Sequence, residues 1–197
     1  MADISESEIR AIVERVVQRT LGGADSVPPP IATRLPSPLA GEGQGSGSVV
    51  AIGADHGGYP LKEILKEHLT SLKYTVIDCG TNSTDAVDYP DFAYAVARLV
   101  SEGKAWRGIA IDGAGIGSAM VANKVPRVRA ALCYDHATAM NSREHNDANV
   151  LTLGAGLIGA NLAKQIVEVW LKTEFGGGRH AKRVDKIIEV EKRFLKE

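Results

Sequence analysis

Apolar residues recur along this chain with two different periods. Between residues 4 and 21 the period is helical: Ile9, Ile12, Val13, Val16, Val17 and Leu21 form one stripe, and Glu6, Arg10, Glu14, Arg15 and Arg19 lie largely off it. Ser5 with Glu8 reads as a capping box, Ile4 with Ile9 as a hydrophobic staple, and Gly22-Gly23 as the stop. From Val49 onward short, continuously apolar runs take over, at 49–53, 74–79, 108–112, 128–134 and 149–153. Helical patterns lie between and after them, at 59–72, 91–102, 119–124, 136–144, 161–172 and 182–196. Strands that are apolar on both faces and alternate with helices predict a parallel sheet with right-handed crossovers. The expected fold class is α/β: a Rossmann-like three-layer α/β/α sandwich on a five-stranded parallel sheet, preceded by an N-terminal amphipathic helix on a disordered linker.

The linker is legible from composition. Residues 22–48 hold Pro28-Pro29-Pro30, Pro36 and Pro38, then alternate Gly with polar residues up to Ser48, so they are stiff at first and flexible later. The expected division is therefore a helix at 1–21, a linker at 22–48 and a folded domain at 49–197. An apolar stripe on a tether needs a cover: its own domain, a second copy, or a groove in another protein.

Charge and cysteine content narrow the class. A net charge of -1 points away from nucleic acid and membrane surfaces. No apolar run is long enough to span a bilayer, and the acidic first residues do not fit a signal peptide. Cys79 and Cys133 lie in strand-like segments and read as reduced core cysteines of a cytosolic protein. His136 and His145 do not have metal-ligand spacing, so no metal is expected. The glycines match neither a dinucleotide fingerprint nor a P-loop, so no cofactor is expected.

Three stretches carry chemistry. The strand ending at Asp112 runs into Gly113-Ala114-Gly115-Ile116-Gly117, a turn whose N–H groups suit an anion. Asp55-His56-Gly57-Gly58 follows the first strand and should share that edge. Its carboxylate and imidazole suit proton transfer to a sugar hydroxyl or ring oxygen; the plainer reading is a turn whose Asp caps the next helix. Gly176-Gly177-Gly178 precedes Arg179 and Arg183, one helical turn apart, which are two forks for a phosphate or simply a solvated helix start.

Taken in order, Gly53-Ala54-Asp55-His56-Gly57-Gly58, Asp88-Tyr89-Pro90, the glycine turn with Ala122-Asn123-Lys124, Arg143-Glu144-His145-Asn146-Asp147 and Gly178-Arg179-His180 resemble the ribose-5-phosphate isomerase B family, which includes galactose-6-phosphate isomerase subunits. The resemblance runs from residue 49 to about 194. It implies a metal-free, cofactor-free aldose–ketose isomerase that interconverts ribose 5-phosphate and ribulose 5-phosphate through an enediolate. It also implies a homodimer, or a tetramer, with active sites shared between subunits. Asp55 would handle the ring oxygen and hydroxyls, His56 would contact substrate, and His145 would open the ring; Tyr89 either lines the substrate pocket or packs beside Pro90. Asn146 and the N–H groups of Gly113, Ala114, Gly115, Ile116 and Gly117 would hold the enediolate, and Arg179, His180 and Arg183 the phosphate.

The chain departs from the family at the base. One branch has a cysteine at the Asp112 position with a threonine two residues on; the other has a glutamate at the Ser118 position. Here the residues are Asp112, Ala114 and Ser118. A carboxylate can abstract a proton next to a carbonyl, so Asp112 is expected to serve, with partial desolvation raising its pKa. The same departure is compatible with a six-carbon or deoxy sugar phosphate, or with a non-catalytic sugar-phosphate-binding or scaffold homologue. The N-terminal helix and linker resemble the encapsulation peptides of bacterial microcompartment cargo. That resemblance implies a shell protein or co-cargo enzyme as partner of residues 4–21, and a location in the lumen of such a compartment.

Overall fold

The computed structural model describes residues 47–194. The chain divides into two units, Met1–Pro36 and Ser37–Glu197. The expected N-terminal helix and most of the linker lie outside the described residues.

Five parallel strands form one sheet: β1 (Val49–Ala54), β2 (Thr75–Asp78), β3 (Arg107–Asp112), β4 (Ala130–Leu132) and β5 (Val150–Gly154), in the order β2-β1-β3-β5-β4. β1, β3 and β5 are almost wholly buried, as their unbroken apolar runs require. Among the described residues six helices accompany them: α1 (Tyr59–Ser71), α2 (Tyr89–Ser101), α3 (Ile116–Ala122), α4 (His136–Asn146), α5 (Ala160–Lys172) and α6 (Gly178–Phe194). One core layer joins Leu61, Leu65 and Leu69 of α1, Ala139 of α4 and Ile166 and Trp170 of α5 to one face of the sheet. The other joins Val96, Ala97 and Val100 of α2 and Ala122 of α3 to the opposite face. The architecture is the expected three-layer sandwich.

Three helices begin two or more residues earlier than the sequence pattern predicts. Asp88 is the N-cap of α2, so Tyr89 and Pro90 form its first turn rather than a separate turn; proline's fixed φ suits that position. α3 begins at Ile116 and α6 at Gly178, both inside glycine-rich stretches. At the bottom of β3, Arg107 is buried between the rings of Trp106 and Trp170, 4.1 and 5.0 Å away. It donates to the carbonyls of Trp170 and Leu171 at 2.6 and 3.0 Å, satisfying the end of α5. Burial, together with the Arg143 guanidinium, pulls its pKa down to about 9, so it stays charged at neutral pH.

Candidate active site

The strand order reverses direction between β1 and β3, which opens a crevice at their carboxyl ends. Asp55 leaves β1 there. Its N–H donates to the Ile111 carbonyl at 3.2 Å, and its Oδ1 accepts from Gly58 N–H at 2.8 Å. The plainer reading of a local turn is thus present, with the carboxylate still at the crevice. His56 is exposed, and its Nδ1 lies 3.2 Å from both the N–H and the carbonyl of Val87. Tyr89 at the head of α2 lays its ring on Gly117. A Cβ there would stand 2.5 Å from the ring, so any larger residue would push Tyr89 aside.

Asp112 ends β3 with only 5% of its surface exposed. Its carboxylate is met by four donors. Oδ1 accepts from Ala114 N–H at 2.8 Å and from Gly115 N–H. Oδ2 accepts from Ser118 N–H at 2.9 Å and from the Ser118 hydroxyl at 2.6 Å. Burial alone would push this carboxyl up. The Ser118 hydroxyl and the N–H groups of Ser118, Gly115 and Ala114 outweigh burial and hold it below the usual carboxylate range. This reverses the expected rise. It also removes the N–H groups of Ala114 and Gly115 from the set expected to hold an enediolate, because they are already bonded to an anion of the chain itself.

The turn around this carboxylate is fixed from several sides. Ala155 N–H donates to the Asp112 carbonyl at 2.8 Å, Gly156 N–H to the Gly113 carbonyl at 3.0 Å, and Tyr134 Oη to the Ala114 carbonyl at 2.9 Å. Gly115 has φ 77°, and a Cβ on it would stand 2.5 Å from Leu132 Cδ1.

The remaining predicted residues gather elsewhere. α4 runs back across the sheet, so His145 and Asn146 in its last turn lie at the amino edge, just before β5 begins. The Gly176–Gly178 turn meets them there, through Gly176 N–H donating to the Glu144 carbonyl at 2.9 Å. His145 and His180 stack with ring centroids 4.1 Å apart and 4° between planes. Arg179 Nε lies 3.4 Å from His180 Nε2, and both Arg179 and Arg183 are exposed. Burial, and then His145 and the two arginines, lower the His180 pKa, so its neutral form dominates at neutral pH. Asn146 lines a cavity of about 210 Å³ with Arg129, Ser142 and Ile187. Asp112 pairs with Gly154 at the far end of β5. At the usual rise per strand residue, the two groups are therefore about 13 Å or more apart. The two groups of predicted residues therefore lie on opposite edges of the sheet of one chain.

Residues 50–187 match the family model described as Ribose/Galactose Isomerase. The chain belongs to the ribose/galactose isomerase family. It is an aldose–ketose isomerase. Among solved structures it is similar to ribose-5-phosphate isomerase B of Clostridium thermocellum, with 52% identity and a TM-score of 0.74 over 75% of this chain and 99% of that one. The Mycoplasma genitalium ribose-5-phosphate isomerase B, solved with bound ribulose-5-phosphate, is 44% identical with a TM-score of 0.72, over 75% of this chain and 98% of that one. The D-erythrulose-4-phosphate isomerase of Pectobacterium atrosepticum is 44% identical over 139 residues, 70% of this chain and 91% of that protein.

Three residues that hold the predicted ones in place escape the sequence reading. Ser118 stands out there only as a departure from the family, yet its hydroxyl bonds the other departure, Asp112. Asn141 Nδ2 lies 2.8 Å from His145 Nδ1 and orients the ring; its i, i+4 spacing on one helix is the signal that could have found it. Tyr134 anchors the turn across 20 residues of sequence, and no local pattern marks it.

Proposed function

We propose that this isomerase interconverts ribose 5-phosphate and ribulose 5-phosphate, with Asp112 as the base. The observation that carries the reading is the buried Asp112 carboxylate, kept ionised by four donors of its own turn, at the carboxyl edge where Asp55 also leaves β1. An ionised carboxylate takes the C2 proton of the open-chain aldose; the C2–H pair forms the C1–C2 double bond and the carbonyl pair moves onto O1. The O2 proton passes to O1, the carbonyl forms at C2, and the same carboxyl returns its proton to C1. The N–H groups of Ile116 and Gly117, which lead α3 and have no intrahelical partner, serve the developing enediolate.

The second half-site comes from another copy of the chain, as a homodimer. Its His145 opens the ring, its Asn146 assists at the enediolate, and its Arg179 and Arg183 clamp the phosphate. The distance between the half-sites within one chain supports this. Relatives that act on pentose and tetrose phosphates make substrate length a matter for assay, and six-carbon and deoxy sugars belong in the same panel.

The test is the isomerisation rate of native chain and Asp112→Asn with ribose 5-phosphate. Removal of the base lowers kcat at least about 100-fold. A variant equally active would remove Asp112 from this role. A native chain inactive on every sugar phosphate of the panel would leave the non-catalytic binding role.

The stripe on residues 4–21 supports a second element of the reading, docking to a microcompartment shell protein or co-cargo enzyme. Ile12→Glu with Val16→Glu then releases the isomerase from the shell fraction. Unchanged co-sedimentation would refute it.

A further inference from the structure

A carboxylate offers about four lone-pair positions. In Asp112 all four are occupied, two on Oδ1 by Ala114 and Gly115 N–H and two on Oδ2 by Ser118 N–H and Oγ–H. A base in this state has no free position for a substrate proton. Three of the four donors are backbone groups of a turn fixed by Ala155, Gly156 and Tyr134, and they cannot leave without unmaking it. The fourth, the Ser118 hydroxyl, turns about a single side-chain torsion.

We propose that Ser118 is a positioning residue that gates the base: its hydroxyl occupies the remaining lone pair of Asp112 Oδ2 in the resting site and swings away to admit the substrate proton. This rests on Asp112 being the base. Ser118 is itself 1% exposed, and its hydroxyl points to Asp112 Oδ2. It has somewhere to turn. As the third residue of α3 it can back-bond to a carbonyl three or four residues earlier, as serine does in helices. Those carbonyls belong to Gly115 and Ala114. The first accepts Ala119 N–H and the second the Tyr134 hydroxyl, and each keeps a second lone pair. The swing therefore exchanges one hydrogen bond for another and leaves the turn in place.

The titratable side chains on the elements around Asp112 are Asp55 and His56 after β1, Tyr89 at the head of α2 and Tyr134 after β4. None of them hydrogen-bonds the Asp112 carboxylate. The proton affinity of Asp112 is thus set by its burial and, against it, by its four donors, of which the hydroxyl is the one a substitution can remove cleanly.

The experiment follows the Asp112 carboxyl by 13C NMR titration, its resonance assigned by loss in Asp112→Asn, in native chain, Ser118→Ala and Ser118→Thr. Alongside it runs the pH profile of kcat/KM. Loss of a charge-assisted hydrogen bond raises the Asp112 pKa by about one pH unit or more in Ser118→Ala, tenfold in proton affinity. The acid limb of the profile moves up by the same amount, while kcat above that limb is maintained or increased. Ser118→Thr, which keeps the hydroxyl, returns both toward native values. If Ser118→Ala does not fold, Ser118→Cys supplies a weak donor in nearly the same volume and gives an intermediate shift. An Asp112 resonance that titrates alike in all variants overturns the gate. So does a kcat that falls at every pH in Ser118→Ala with an unmoved limb, the mark of a merely structural serine. An NMR shift with no matching movement of the limb instead removes Asp112 as the base, and with it the reading on which the gate rests.

Discussion

Replacing Asp112 with Asn keeps the shape of the side chain and exposes how much the turn depends on its charge. The carboxylate presents acceptors to donors on both oxygens; an amide presents one acceptor and one donor. If the amide nitrogen faces Ala114 and Gly115, two backbone N–H groups lose their acceptor. If it faces Ser118, the hydroxyl can reverse its role but Ser118 N–H is left unpaired. The better arrangement still forfeits one buried bond to a charged acceptor, about 1.5–3 kcal/mol. Loss of the anion next to the start of α3 adds roughly 0.3–1 kcal/mol. The sum, about 2–4 kcal/mol, corresponds to a melting temperature lower by roughly 4–16 °C for a domain of this size.

The loss depends on pH with a definite sign. The folded carboxyl titrates below its unfolded value, so its stabilisation is complete above the unfolded pKa near 3.9 and is lost as pH falls through the folded one. Thermal melts from pH 3 to 8 therefore show a constant gap between native chain and Asp112→Asn down to about pH 4 and a closing gap below it. Equal melting temperatures at pH 7 would refute the claim that the four donors are satisfied by an ionised carboxylate.

Two further outcomes test the surroundings. Gly115→Ala forces a side chain into a left-handed backbone and against Leu132, and should destabilise by at least about 1–2 kcal/mol in denaturant titration, with the sugar-phosphate KM raised. Asp112→Asn and an Arg179→Ala/Arg183→Ala variant should each be nearly inactive alone. Refolded together, they should recover up to about a quarter of native activity, because half of the dimers carry one intact site; no recovery would refute the shared site.

The sheet was legible because β1, β3 and β5 are apolar on both faces, and a buried parallel strand admits little else. The early starts of α2, α3 and α6 were not, because helix propensity counts glycine and proline as breakers. In α3 the Asp112 carboxylate takes up the N–H of Ser118 and so caps a helix that its own sequence leaves uncapped. The direction of the Asp112 pKa was misread for a related reason. Burial at the end of a strand can be inferred from pattern, whereas four donors converging on two oxygens exist only once residues 112 and 118 have been folded together. The histidine–arginine group was legible as a set of residues; its place on the opposite edge follows only from the path of α4.

A glycine turn at a helix start is ordinarily an attractor for free phosphate and sulfate. In this isomerase the seat is taken by a carboxylate of the same chain. Inorganic phosphate should then compete with substrate only at the arginine edge, and the β3 turn should keep its shape between turnovers with no ligand holding it. A turn built this way is insulated from the free phosphate that such turns otherwise attract.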